Sequence, residues 1–278
     1  MCRLIALAQP SDFKRGPNHD NARSAIVFSP LVCLGHAMSN VDILLSVLIV
    51  CLAGVVRGVT GFGGAMVMSP LLALLIGPQA AVLTALLLEG FAPLPLLPTA
   101  ARMANWKVMR PIIAAAFVTA PLGGLLLAHV EANLMRKAIA VVVLSFALIM
   151  FFGVQIRART SNSARLAVGG IGGVLVGATS MGGPPVILYL MASGESLPVL
   201  RANLMVYVAA ASFAGLAAMG ITSVLDPQIM LMAMALAPVY LASAWFGGRL
   251  FRHVNERLFR RVTLLLLITV SAVILVAA

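Results

Sequence analysis

Apolar residues run along this chain in long blocks separated by short polar interruptions. In the first half the blocks fall near 43–57, 65–76, 80–100, 108–128 and 138–156; in the second they fall near 166–179, 184–193, 202–220, 229–248 and 262–278. A helix needs about 20 residues to cross a bilayer core. Most blocks approach that length, but 65–76 and 184–193 are too short to cross alone. Nothing alternates in short segments as the strands of a membrane β-barrel do. The pattern predicts an all-α polytopic integral membrane protein.

Each short block follows a glycine-rich break, and the two breaks match. Residues 54–64 read G-V-V-R-G-V-T-G-F-G-G and residues 173–183 read G-V-L-V-G-A-T-S-M-G-G. Gly54, Val55, Gly58, Thr60, Gly63 and Gly64 recur as Gly173, Val174, Gly177, Thr179, Gly182 and Gly183. A second echo matches Gly123, Gly124, Leu126, His129, Val130, Leu134 and Arg136 to Gly247, Gly248, Leu250, His253, Val254, Leu258 and Arg260. Paired broken segments in two halves are the sequence pointer to a transporter binding site. The expected organisation is a first repeat over 41–156, a basic cytoplasmic linker over 157–165 and a second repeat over 166–278. Each repeat is read as a glycine-broken or re-entrant hairpin of two short arms plus about three full spans. Residues 1–40 are mixed in polarity and contain Pro10, Pro17 and Pro30. They are read as a tail, or as lying upstream of a start at Met38, which an intact mass would decide.

Charge gives the orientation. Loop 101–110 holds Arg102, Lys107 and Arg110, and loop 157–165 holds Arg157, Arg159 and Arg165, all without an acid. The bias of basic loops toward the cytoplasm places both inside. Loop 129–137, with Glu131, Arg136 and Lys137, is then outside. In the second half the bias switches: 220–228 holds only Asp226, while 249–261 holds Arg249, Arg252, Arg257, Arg260 and Arg261 against Glu256. Inverted repeats account for the switch, with both termini outside.

Composition narrows the classes. Apolar residues make up 62% and charged residues 10% of the chain, and the mean hydropathy is +1.07. Soluble domains carry about 25% charged residues. The net charge of +11 does not imply nucleic acid, because the basic residues sit in short loops and no aromatic-basic surface accompanies them. Cys2, Cys33 and Cys51 form no metal or redox pair. No phosphate-binding G-x-x-x-x-G-K-[ST] loop and no H-E-x-x-H occurs, so neither ATP-driven pumping nor an enzyme is expected. No cofactor and no metal are expected.

The candidate chemistry lies at the breaks. A helix that begins inside the membrane exposes unpaired N–H groups and the positive end of its dipole, which suits an anion. Gly61, Gly63, Gly64, Gly182 and Gly183 are read as allowing close approach of the bound group, with Thr60, Thr179 and Ser180 supplying hydroxyls. The opposing reading makes the glycines tight helix-packing positions. Arg57 lies deep in an apolar run, and its counterpart is Val176. It is a candidate for holding the anion or for pairing with Glu89; otherwise its arm ends early and it snorkels to the surface. Glu89, in L-L-L-E-G-F, is a candidate coupling or gating carboxylate, or a kink-site carboxylate facing water. Pro93, Pro95 and Pro98 should distort its span. His129 and His253 are read as helix-end residues, and Arg201 and Asn203 as opening the helix after the second short arm.

The segment G-V-T-G-F-G-G-A-M-V-M-S-P-L-L-A-L-L-I-G-P-Q-A-A-V-L-T-A resembles the first motif of the sulfite exporter TauE/SafE family of membrane transporters, and G-A-T-S-M-G-G-P-P-V-I-L-Y-L resembles its second. The resemblance covers roughly 40–278 and carries Gly58, Gly61, Gly63, Gly64, Gly177, Gly182 and Gly183. It implies a multi-pass permease of the bacterial inner membrane. It also implies sulfite, thiosulfate or organosulfonates as substrates. Phe62 stands where many relatives continue the glycine run. Expected partners are a small anion and membrane lipid, with a homo-oligomer open. The leading expectation is secondary transport by alternating access; an anion channel, or a membrane component serving a soluble sulfur-transfer enzyme, are the alternatives.

Overall fold

The computed structural model describes residues 40–152, 161–222, 225–250 and 256–277. The expected tail with Cys2 and Cys33, linker residues 157–160, and Arg252 and His253 lie outside the described residues. Every described element is helical. The first half comprises α1 (Asn40–Thr60), α2 (Gly64–Ile76), α3 (Pro78–Phe91), a 3-10 turn (Leu94–Leu96), α4 (Leu97–Met103), α5 (Trp106–His129) and α6 (Ala132–Phe151). The second comprises α7 (Asn162–Thr179), α8 (Gly183–Ala192), α9 (Leu197–Ile221), α10 (Pro227–Leu250) and α11 (Glu256–Ala277). Among the described residues six segments are long and apolar enough to cross a membrane: α1, α3 through α4, α5, α6, α9 and α10. Leu44, Leu48, Val118, Leu122, Trp245 and Val276 face outward, as lipid-facing positions of a polytopic helical membrane protein do.

The breaks fall where the sequence places them. Helix α1 stops at Thr60, and Gly61 and Gly63 take φ of 80° and 89° before α2 begins. Only glycine enters that region without steric cost. The second break turns differently. Ser180, the counterpart of Gly61, is left-handed at φ 62°, while Gly182 keeps a right-handed φ of −78°. A side chain in this conformation costs roughly 1–2 kcal/mol. Ser180 is held there by its hydroxyl, which donates to Ser69 Oγ at 2.6 Å and lies 2.5 Å from the Thr179 carbonyl. Ser69 also donates to the Thr179 carbonyl at 3.1 Å. The first half thus braces the second half's break.

The two halves pack through equivalent positions. Gly58 sits where a Cβ would strike the backbone of Ala244 and Gly248; Gly177 is packed likewise against Ala120 and Gly124. Gly54 lies against Tyr240 and Ser243, and Gly173 against Ala116 and Thr119. Gly247 meets Val55, and Gly123 meets Val174. Helix α1 therefore packs on α10 as α7 packs on α5. Small residues let backbones approach where lipid supplies no hydrophobic drive. The corresponding segments α3–α4 and α9 run antiparallel: Leu86 meets Gly215, Gly90 meets Ser212, and Ala100 meets Ala202 and Val206.

Three expectations change. The first arm of each half is not short: α1 has 21 residues and α7 has 18, against 13 and 10 in α2 and α8. Arg57 does not snorkel, because α1 continues past it and it is only 8% exposed. The loop expected over 129–137 shrinks to Val130 and Glu131, with Arg136 and Lys137 already inside α6. Arg136 reaches back to the Ala73 carbonyl at 2.9 Å, where it satisfies the last turn of α2. The span after Glu89 breaks at Pro93 and Pro95 and resumes at Leu97, because prolines remove backbone donors.

Candidate functional site

The breaks converge on a small chamber. Phe62 and Gly63 reach it from the first, and Ser180, Met181, Gly182 and Gly183 from the second. Its volume is about 30 Å³, room for a group of a few heavy atoms and not for a long chain. The N-termini of α2 and α8 both border it. They differ in donors. Gly64, Ala65 and Met66 all carry an N–H, whereas Pro184 and Pro185 leave α8 with Gly183 alone in its first three residues.

One wall is ionic. The Arg57 guanidinium of α1 pairs with the Glu89 carboxylate of α3, and Glu89 is 5% exposed. Tyr240 of α10 donates its hydroxyl to Glu89 Oε1 at 2.6 Å. Gly64 makes room for both, since a Cβ there would strike the Tyr240 hydroxyl and Glu89 Oε1. Of the alternatives for Arg57, pairing with Glu89 is the one formed. Both charges still line the chamber. In so apolar a setting either charge is costly without its partner.

The remaining candidates separate by role in the geometry. Gly61 and Gly63 set the turn. Gly64 and Gly182 face protein, the latter wedged against Val176, the Gly172 carbonyl and Tyr207. Gly183 faces open space, with no atom within 4 Å of where its Cβ would stand. Thr60 turns its hydroxyl to the carbonyls of Val56 and Phe62, and Thr179 donates to the Leu175 carbonyl at 2.7 Å. The hydroxyl that borders the chamber from this set is Ser180. His129 rests on the Leu125 carbonyl at 3.0 Å, a helix-end contact.

A larger cavity of about 340 Å³ lies beside the first break, lined by Thr60, Ile187, Met191, Leu200, Arg201 and Leu264 among others. Phe62, Gly63 and Met66 border both spaces, so they form the partition. Near this end a polar clasp ties the halves. Asn203 accepts from the Asn105 N–H at 2.8 Å and donates to Glu195 Oε2 at 2.5 Å, while Asn105 Nδ2 donates to Glu195 Oε1 at 2.7 Å. Arg102, Lys107, Arg110 and Arg201 lie close in sequence to these residues.

Sequence reasoning overlooked Tyr207, Tyr240, Ser69 and Glu195. A signal existed for the tyrosines. Membrane tyrosines favour the interfaces, yet both stand midway along their spans, and a buried phenol needs a partner.

No curated protein and no solved structure matches the chain. A family model, Sulfite exporter TauE/SafE, matches residues 46–274. That stretch includes both breaks, the ion pair and every residue lining the chamber. The chain belongs to the sulfite exporter TauE/SafE family of membrane transporters.

Proposed function

We propose that the chain is a secondary permease that moves a small sulfur-containing anion across a bacterial inner membrane by alternating access. Sulfite, thiosulfate and small sulfonates are the candidate substrates. The observation that carries this reading is the convergence of two helix breaks on one chamber walled by a buried Arg57–Glu89 pair. Helix N-termini attract anions without a full cation. Arg57 supplies a full cation once Glu89 releases it. The chamber's size fits a substrate of a few heavy atoms.

The halves act as inverted repeats in this reading. The duplicated glycine contacts and the antiparallel course of α3–α4 against α9 support it. Rocking one half against the other exposes the chamber alternately. The basic end faces the cytoplasm, so the larger cavity is the inner vestibule. An anion leaves down an inside-negative potential without a coupling ion; uptake needs one, and Glu89 is the carboxylate placed to carry the proton.

The test is flux into liposomes containing the purified protein, with labelled sulfite, thiosulfate and a small sulfonate, with and without a proton gradient. Saturable flux of one of them is expected. Flux of none, from folded protein, removes the sulfur-anion assignment. Flux that rises without saturation favours a channel.

A further inference from the structure

Two tyrosines are fully buried around the chamber, Tyr207 on α9 and Tyr240 on α10. Their hydroxyls fare differently. That of Tyr240 donates to an anion, the Glu89 carboxylate. That of Tyr207 has no hydrogen-bond partner among the described residues. Such orphans are rare, because burial strips the hydroxyl of water without repayment in bonds.

The orphan stands where a donor is short. It lines the chamber, 2.8 Å from where a Cβ on Gly182 would lie, at the N-terminus of α8. The prolines at 184 and 185 remove two N–H groups from that terminus. The second half also lacks a cation here, since Val176 occupies the place that Arg57 holds in the first. The chain's own carboxylate completes the Tyr240 side, and among the described residues nothing completes the Tyr207 side.

We infer that Tyr207 is a substrate-binding residue: its hydroxyl donates to an oxygen of a small oxyanion seated at the N-terminus of α8. This deepens the permease reading and rests on it. The seat is neutral, formed by a phenol, the α8 dipole and the Gly183 N–H, with Ser180 and Ser212 also bordering the chamber. It therefore selects ligands by acceptor oxygens and size as well as by charge.

Tyr207→Phe tests the assignment, because it removes one oxygen that bonds to no described group. Thermal stability without ligand should hold or rise, because an unsatisfied buried hydroxyl is removed. In liposomes the half-saturation concentration for sulfite or thiosulfate should rise on the order of tenfold, the loss of one hydrogen bond to a charged ligand. An unchanged half-saturation concentration overturns the inference while leaving the permease standing. Should the wild type move neither anion, their assignment as transported substrates fails, and binding is read in detergent instead. A sulfite-induced thermal shift present in the wild type and lost in Tyr207→Phe supports the seat; the same shift in both proteins, or none in either, overturns it.

Discussion

Arg57 and Glu89 form an ion pair inside the helix bundle, and neither is more than 8% exposed. Removing one partner of a buried pair leaves an uncompensated charge, which costs roughly 3–5 kcal/mol. Arg57→Gln and Glu89→Gln should each lower the thermal midpoint in detergent. The double variant should recover much of the loss, because no lone charge remains. Purely additive losses would contradict the pairing.

The same pair has a transport consequence. In Glu89→Gln the guanidinium is free for substrate, so sulfite should stabilise this variant more than it stabilises the wild type. Proton-driven accumulation should disappear while exchange of external for internal anion persists. Arg57→Gln should instead raise the half-saturation concentration. Retained proton-driven accumulation in Glu89→Gln would remove this carboxylate from coupling.

The glycines of the breaks should separate into two classes. Gly58→Ala drives a methyl into the Ala244 backbone, and overpacking of that kind typically costs about 1–3 kcal/mol or more. It should express poorly or melt early. Gly183→Ala meets nothing and should fold as the wild type does, with slower flux through a smaller chamber. Size-exclusion profiles and flux measured side by side check both halves of the claim.

Ser69 should matter through Ser180. Ser69→Ala removes the brace on the left-handed turn, at a net cost of about 1 kcal/mol, since the Ser180 hydroxyl still reaches the Thr179 carbonyl. Adding Ser180→Gly should restore part of it, since glycine takes that φ freely. Thermal midpoints of the single and double variants decide the matter.

Helix placement was legible because membrane burial demands uninterrupted apolar runs, and the duplicated glycines marked both breaks. Arg57 and Glu89 stood out because charge is rare in such runs. What escaped was side-chain partnership across helices. Ser69 is unremarkable in M-V-M-S-P-L-L until α2 lies on the second break, and Tyr240 has meaning only beside Glu89. Glycine carries one signal with two causes: Gly58 and Gly183 look alike in sequence, yet one is a packing contact and the other faces the chamber. The loop between α5 and α6 is shorter than its sequence suggests, because the bases at 136 and 137 look like loop residues although Arg136 caps α2 from within a helix.

The most direct test of the central claim is the concentration dependence of sulfite and thiosulfate flux in liposomes for the wild type and Gly183→Leu. A leucine there fills a chamber of about 30 Å³ from a position where a Cβ meets no atom within 4 Å. The account predicts saturable flux in the wild type and its loss in a Gly183→Leu protein that melts at the wild-type temperature. Equal saturable flux in both would place the anion's path elsewhere.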